Sequence, residues 1–474
     1  MQDLLAAALL LAATLGFVVI GIRRGRSPYA GLDDYLVARN SYGAGTGAAT
    51  LLASSFGAWL LFSPSEAATW GGAVALVGYG LGVAAPRLAL IPLGLRMRHV
   101  MPNGRSLAEY VRVRFGAGLY AAVLVVMITY LAIVIAAEAT ATARVMSVVS
   151  DLPAWLPAGI TLAASVLYTG IGGLRASVVT DRAQMVVIAP FLALLLVIGV
   201  VIVWNAGGPA AMAATVPDLL ELGNANGLQF AGALFLAILF TGVLHQGNWQ
   251  RVFAMESPRA VKRSMAWAAL ISAPVVALVG LFGLAHEMLG LDTPSAALFA
   301  VLETGLPMWL LSLVAVLAVA LVLSSMDTAL NALASLTVVA LRTARPHWPV
   351  RRLVRLSIGA MILAALAALG VAVQGWSVLY LFLCADLLCA ATSVPVFAGL
   401  FLRRYDGRLA LASLGCGLAA GIWQFPAPDM AGGSLVAAFA LAAGVPLLMT
   451  PLCLLRPARF DLARLKTEVS RYAD

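Results

Sequence analysis

Charge is scarce in this chain: only 11% of its 474 residues are Asp, Glu, Lys or Arg, against about 25% in a soluble domain. With 62% of residues hydrophobic, the composition excludes a water-soluble fold and reads as an integral membrane protein. At about 20 residues per crossing, a dozen or more spans leave only short connections and no room for a kinase, nuclease or ATPase domain. Cysteine is equally sparse. Cys384, Cys389, Cys416 and Cys453 sit in apolar stretches without paired spacing, which excludes a disulfide framework and a zinc site. The four histidines, His99, His245, His286 and His347, are scattered. There is no phosphate-binding glycine loop followed by Lys, no His-Glu-x-x-His, and no nucleophile with a positioned base. The residues therefore argue against an enzyme and call for no cofactor.

What is present is a series of long apolar runs. Hydropathy predicts an all-α polytopic fold of about thirteen spans, at 4–22, 42–70, 71–95, 116–146, 153–171, 178–204, 228–245, 266–290, 306–341, 356–373, 378–402, 409–422 and 434–455. The first lacks a basic leader and a small-residue cleavage site, so it is expected to be a retained helix rather than a signal peptide. The excess of 30 basic over 21 acidic residues, +9 overall, would suggest nucleic acid in a soluble chain. Here the basic residues cluster in every second connection: Arg23, Arg24, Arg26 and Arg39; Arg96 to Arg114; Arg175 and Arg182; Arg251 to Arg263; Arg342 to Arg355; Arg403 to Arg408; Arg456 to Arg471. Only Arg87 and Arg144 fall elsewhere. By the positive-inside rule the N-terminus is expected outside and the C-terminus in the cytoplasm of a multi-pass cell-membrane protein. Ser106 and Glu109 form a capping box opening a short helix, and the tail from Phe460 to Tyr472 has helical spacing; both are expected along the membrane surface.

Three spans are not uniformly apolar. The second carries Ser54, Ser55 and Gly57, then Ser63, Pro64, Ser65 and Glu66, a composition that weakens regular helix. The seventh is interrupted at Thr241, Gly242, His245, Gln246, Gly247, Asn248 and Trp249. Unwound backbone at membrane depth is tolerated where it is buried or lines a cavity, and paired interruptions five helices apart point to an inverted-repeat transporter. Close packing of small residues is the alternative. The ninth span holds Ser324, Ser325, Asp327 and Thr328 mid-helix; these are hard oxygen ligands for a small cation, or hydroxyls bonding back to their own helix. Glu66, Arg87, Glu138, Arg144 and Asp386 are further intramembrane charges, which imply function or pairing. Glu138 and Arg144 are too far apart in sequence to share one face. Asp386 reads either as a proton or substrate group or as a buried structural hydrogen bond, and His245 as a helix-end cap or a solute contact.

The stretch from Gly172, Gly173 and Leu174 through Thr180 and Asp181 to Gln184 closely resembles a motif of the sodium/solute symporter family. Three further blocks are similar in the same order: Asp34 to Arg39, Gln250 to Ala254, and Ser324 to Leu330. The resemblance spans roughly residues 30 to 405, and the run Ser54 to Trp59 with Pro102 to Glu109 is most similar to the urea and proline branches. It implies a five-plus-five inverted repeat with two broken helices: a leading helix and loop at 1–41, repeat one at 42–204, repeat two at 228–402, and two added helices and a tail at 409–474. It also implies sodium held by the carbonyls of Ala53, Phe56 and Leu321 and the hydroxyls of Ser324 and Ser325. Leu321 stands where the family usually has Ala, and Ser55 where members often carry Asn or Asp.

A neutral solute is expected, because Ser55, Trp59, Thr241, His245 and Gln246, with Gly57 for close approach, offer hydrogen bonds and an aromatic wall without a fixed strong charge. The implied activity is sodium-coupled symport of a small organic solute such as urea or proline by alternating access, with sugars, other amino acids and monocarboxylates as further candidates. The expected partners are solute, sodium and the lipid bilayer, with no nucleic acid; oligomerisation is left open. Proton coupling through Asp327 or Asp386 is one alternative. A transporter-like sensor is another, disfavoured because no output domain follows the last helix.

Overall fold

The computed structural model describes residues 2–25, 32–455 and 459–469, with side chains from residue 4 to 23 in the first of these segments. Of the residues singled out above, Arg26, Arg456, Arg471 and Tyr472 lie outside the described residues, as does the side chain of Arg24. Among those described, all regular elements are helical. They are α1 (Gln2–Gly25), α2 (Leu32–Val37), α3 (Ala44–Ser55), α4 (Ser63–Val100), α5 (Leu107–Phe115), α6 (Ala117–Val149) and α7 (Trp155–Asn205). The short α8 (Gly208–Thr215) and α9 (Pro217–Leu220) lead to α10 (Ala225–Leu244), α11 (Gln246–Ala254), α12 (Pro258–Met288) and α13 (Ala297–Gly305). Then follow α14 (Met308–Ala344), α15 (Val350–Ala372), α16 (Val378–Ala398), α17 (Gly407–Gln424), α18 (Leu435–Met449) and α19 (Arg464–Glu468).

Ten helical segments among the described residues are long and apolar enough to cross a membrane. The expected spans are distributed among them unevenly. α4 and α7 each contain a glycine with non-helical backbone, Gly72 at φ 62° and ψ −156°, and Gly173 at φ 57° and ψ −148°. Left-handed φ is open to glycine at little cost, and both positions are also crowded. A Cβ on Gly72 would strike the Leu219 backbone, and one on Gly173 the Tyr35 side chain and carbonyl. These two points separate what the sequence presents as spans three from two and six from five.

The second expected span is the most altered. α3 stops at Ser55, Phe56 and Gly57 are extended, a single 3₁₀ turn covers Ala58–Leu61, and α4 begins at Ser63. The break thus falls at Phe56 and Gly57. The Ser63 to Glu66 run, expected to weaken helix as well, opens one, because Pro64 sits in the first turn, where its missing N–H costs nothing. α10 ends and α11 begins on either side of His245, whose φ and ψ of −58° and 115° leave the helical region. The capping box is formed as the sequence implies, with Ser106 accepting from the Glu109 N–H and Glu109 reaching back to the cap backbone.

α14 runs unbroken through the interior, buried along most of its length and packed against α1, α6, α7 and α15. Large apolar residues left exposed, such as Leu15, Val197, Leu363 and Leu448, face outward, where lipid serves as solvent for an apolar side chain. The start of α3 is tied to the end of α11 by main chain. The amides of Asn40, Ser41 and Tyr42 donate to the carbonyls of Phe253, Ala254 and Ala254, at 3.2, 2.8 and 3.1 Å, and the Glu256 amide donates to the Tyr42 carbonyl at 2.9 Å.

Candidate solute and ion site

The two helix breaks meet at a cavity of about 140 Å³ enclosed by α3, α4, α6, α10, α14 and α16. One wall is aromatic. Trp59 stacks on Tyr79 with ring centroids 5.8 Å apart and packs its edge on Phe382 at 6.4 Å. Tyr130 and His245 meet edge to face at 5.6 Å. The Trp59 indole N–H donates to the Ser55 carbonyl at 3.0 Å, using a carbonyl from the last turn of α3 that has no partner within the helix.

The cavity is polar at defined points. Asp386 on α16 accepts from the Thr241 hydroxyl at 2.7 Å. Glu138 on α6 accepts the Ala58 amide at 2.8 Å through Oε2, while its Oε1 is buried without a hydrogen-bond partner. Arg87 on α4 lines the same space and donates to the Val83 carbonyl of its own helix. His245 accepts the Gly247 amide at Nδ1, 2.9 Å away. In neutral imidazole this leaves Nε2 as the donor. The ring is therefore both a cap and a cavity wall.

The residues expected from the sequence divide into two groups. Ser55, Trp59, Thr241, His245, Ser325, Glu138 and Asp386 are brought together around the cavity. Gln246 is not: it is fully buried on the far side of the break, donating to the Arg105 carbonyl at 2.9 Å and accepting the Leu107 amide at 3.1 Å. Ala53, Phe56, Gly57 and Leu321 are outside the lining set; Ala53 is in the last turn of α3, and Phe56 and Gly57 form the break itself. The expectation of walls without fixed charge does not hold, since Glu138, Asp386 and Arg87 all border the space. Glu66 accepts from the Ser377 hydroxyl at 3.0 and 3.1 Å, and Arg144 donates to the Gly375 carbonyl at 2.6 Å.

Next to the cavity lies a fully buried polar cluster. Asp181 on α7 accepts from Thr50 on α3, from Ser324 on α14 at 2.5 Å and from Arg251 on α11 at 3.0 Å. Arg251 also donates to the hydroxyls of Thr50 at 3.1 Å and Thr328 at 2.9 Å. Asp327 accepts from Tyr168, Ser177 and Thr180 at 2.8, 2.8 and 3.1 Å, so it is held within the cluster and does not face the cavity. Ser324, expected to ligate sodium, is turned to Asp181, and Ser325 donates to the Leu321 and Val322 carbonyls at 3.2 and 3.1 Å. Among the described residues no group of three His, Cys, Asp or Glu side chains forms a chelating cluster. Asp181 appeared in the sequence only within a motif, and Arg251 only within a motif and a basic cluster expected in a cytoplasmic connection; their polar sequence neighbours gave no sign that the two would pair in the interior.

A third network lies at the ends of α2 and α5. Asp33 pairs with Arg39 at 2.9 Å and with Arg105 at 2.6 Å, and Arg105 pairs with Glu109 at 2.9 Å. Burial opposes ionisation of Asp33, but the hydrogen bonds and charges of Arg39 and Arg105 outweigh it and hold the carboxyl below its usual value.

No protein-family model matches the chain. It is 25% identical over 375 residues to the spermidine transporter DUR31 of Candida albicans, covering 76% of this chain and 69% of that one. A solved structure of a Na⁺-coupled sialic acid symporter in a substrate-bound outward-open state superposes with a TM-score of 0.79, covering 96% of this chain and 98% of that one at 16% identity. Mhp1, a nucleobase-cation-symport-1 family transporter, is similar in a closed conformation, with a TM-score of 0.58 and 15% identity over 94% of this chain and 100% of the other. The fold is one shared with membrane transporters.

Proposed function

We propose that the chain is a secondary active transporter that couples inward sodium flow to uptake of a small organic solute bearing a protonated amine. The observation that carries this reading is the cavity at the meeting point of the two broken helices. An intramembrane carboxylate, Asp386, borders it without an ion-pair partner among the described residues, and Trp59, Tyr79 and Phe382 line the same space. A carboxylate beside aromatic faces is the chemistry that recognises an ammonium group, and the similarity to a spermidine transporter supports it. It is Asp386 beside the aromatic rings, not the sum of the wall charges, which also include Arg87, that favours an amine over the neutral solute expected from the sequence.

Sodium coupling is supported by Ser325, which lines the cavity together with Ser54 and Ser55 at the end of α3, and by the likeness to a Na⁺-coupled symporter. The chain then works as two inverted five-helix repeats, 42–204 and 228–402, with the N-terminus outside and the C-terminus in the cytoplasm. Sodium ties the repeats together in the binding-competent state, and its release inside frees the solute. The membrane potential contributes about 2.3 kcal/mol per elementary charge per 100 mV, so a monovalent cation moving with one sodium is driven by two charges and a polyamine by more.

The test is uptake into proteoliposomes of a labelled panel, comprising a small diamine, spermidine, proline, urea, acetate and glucose, with and without an inward sodium gradient. Sodium-stimulated amine uptake, lost in Ser324→Ala/Ser325→Ala, is the expected result. Uptake that ignores sodium and follows pH would move the coupling to a carboxylate. Sodium-driven uptake of urea alone, or of net-neutral zwitterionic proline with no uptake of the diamine or spermidine, would overturn the cationic amine and restore a net-neutral solute.

A further inference from the structure

Glu138 is the intramembrane carboxylate that the solute site does not require. It is 1% exposed and has no ion-pair partner among the described residues, although an isolated buried charge is among the costliest features a membrane interior can carry. Only one of its oxygens is used, by the Ala58 amide. The other, Oε1, is buried and unpartnered, and it points at Gly57. Gly57 has φ −93° and ψ −177°, a conformation any residue adopts, so glycine is not needed there for the backbone. It is needed for space, since a Cβ on Gly57 would overlap Oε1.

The carboxyl therefore abuts the break itself, and the break supplies oxygen donors of its own. The Ala53 carbonyl belongs to the last turn of α3, where helix carbonyls lack intrahelical partners, and Phe56 is extended, which turns its carbonyl out of helical register. Ser325 lines the same part of the cavity as Glu138. Hard oxygen donors of this kind suit an alkali or alkaline-earth cation. Asp386, which lines the cavity with Thr241 and the aromatic rings, is left for the solute amine. We propose that Glu138 is a direct ligand of the transported sodium ion, adding a full negative charge to a site otherwise built from carbonyl and hydroxyl oxygens. The occupied site is then electrically neutral, and Gly57 is retained because it lets the carboxylate reach the break. This inference rests on the reading of the α3 break as a sodium site, and on nothing about which solute is carried.

The experiment measures radioactive sodium binding to the purified full-length protein without organic solute, for wild type, Glu138→Gln, Glu138→Asp and Gly57→Ala. Ligand charge strongly tunes cation affinity, so Glu138→Gln is expected to raise the half-saturating sodium concentration by about tenfold or more. Glu138→Asp should recover part of the loss, and Gly57→Ala should weaken binding with the carboxylate still present. If Glu138→Gln is not monodisperse, Gly57→Ala carries the test. Wild-type sodium affinity in Glu138→Gln or Gly57→Ala overturns the proposal, and amine uptake lost with sodium binding intact would place Glu138 at the solute instead. Sodium binding that depends on Glu138 in a protein that moves no amine would uphold this inference and overturn the proposed solute.

Discussion

Arg251 and Asp181, 70 residues apart in the chain, form an ion pair of 3.0 Å in which the two side chains are 1% and 0% exposed. Arg251 belongs to α11 and Asp181 to α7, and through Thr50, Ser324 and Thr328 the pair also engages α3 and α14. Four helices that surround the two breaks are therefore joined at one charge pair. Removing one partner strands the other without water, whereas removing both does not. Arg251→Ala is expected to lower stability by about 3–5 kcal/mol, read as a fall in thermal unfolding temperature in detergent. Arg251→Ala/Asp181→Asn should regain a substantial part of it; a double variant no more stable than the single one would show that the pair is not the source of the loss.

Asp386 is predicted to bind the solute amine. Asp386→Asn keeps the bond from Thr241 but removes the charge. Apparent affinity for the amine should fall by about 1.5–3 kcal/mol, the range for a hydrogen bond to a charged group. Sodium binding measured without solute should stay at the wild-type level. Unchanged amine uptake in this variant would exclude the assignment.

Asp33 gives a pH-dependent prediction. Its carboxyl is held below the usual 3.8 once burial is outweighed by Arg39 and Arg105, so its stabilising effect is fully present above that value and is lost as pH falls through the lowered one. Asp33 is partly exposed, so the effect at neutral pH is about 1 kcal/mol. The difference in unfolding temperature between wild type and Asp33→Asn should be visible at neutral pH and shrink on strong acidification. A difference that grows toward acid pH would contradict the sign.

Gly173 combines left-handed φ with contact against Tyr35. Gly173→Ala should destabilise by about 1–3 kcal/mol. Gly159→Ala, where a Cβ meets no neighbouring atom, is the control, and it should change the unfolding temperature little.

Much of this arrangement could be read in the sequence wherever local chemistry governs. The break at Phe56 and Gly57 and the joint at His245 follow from residues that weaken helix in place, and the Ser106–Glu109 box is a four-residue signal. The reading failed where a side chain's direction depends on a new helix start. Gln246 is adjacent to His245, but it is the first residue of α11. Successive helical side chains are rotated by about a quarter turn or more, so Gln246 reaches α5 while His245 lines the cavity. Charge placement was harder still. Whether Glu138 and Asp386 face the cavity, and whether Asp327 is enclosed by hydroxyls, is decided by partners more than one hundred residues away in the case of Asp386 and Asp327. No window along the chain contains that information.

The main-chain strap between residues 40–42 and 253–256 limits how the molecule can rearrange. Its four bonds use backbone groups alone, so among replacements at the donor positions 40, 41, 42 and 256 only proline, which lacks the N–H, removes one outright. The entry to α3 and the exit from α11 are therefore joined to each other by main chain alone, independently of the side chains around the cavity. The positions where regular helix is already interrupted, Phe56–Gly57 and His245, lie outside this strap.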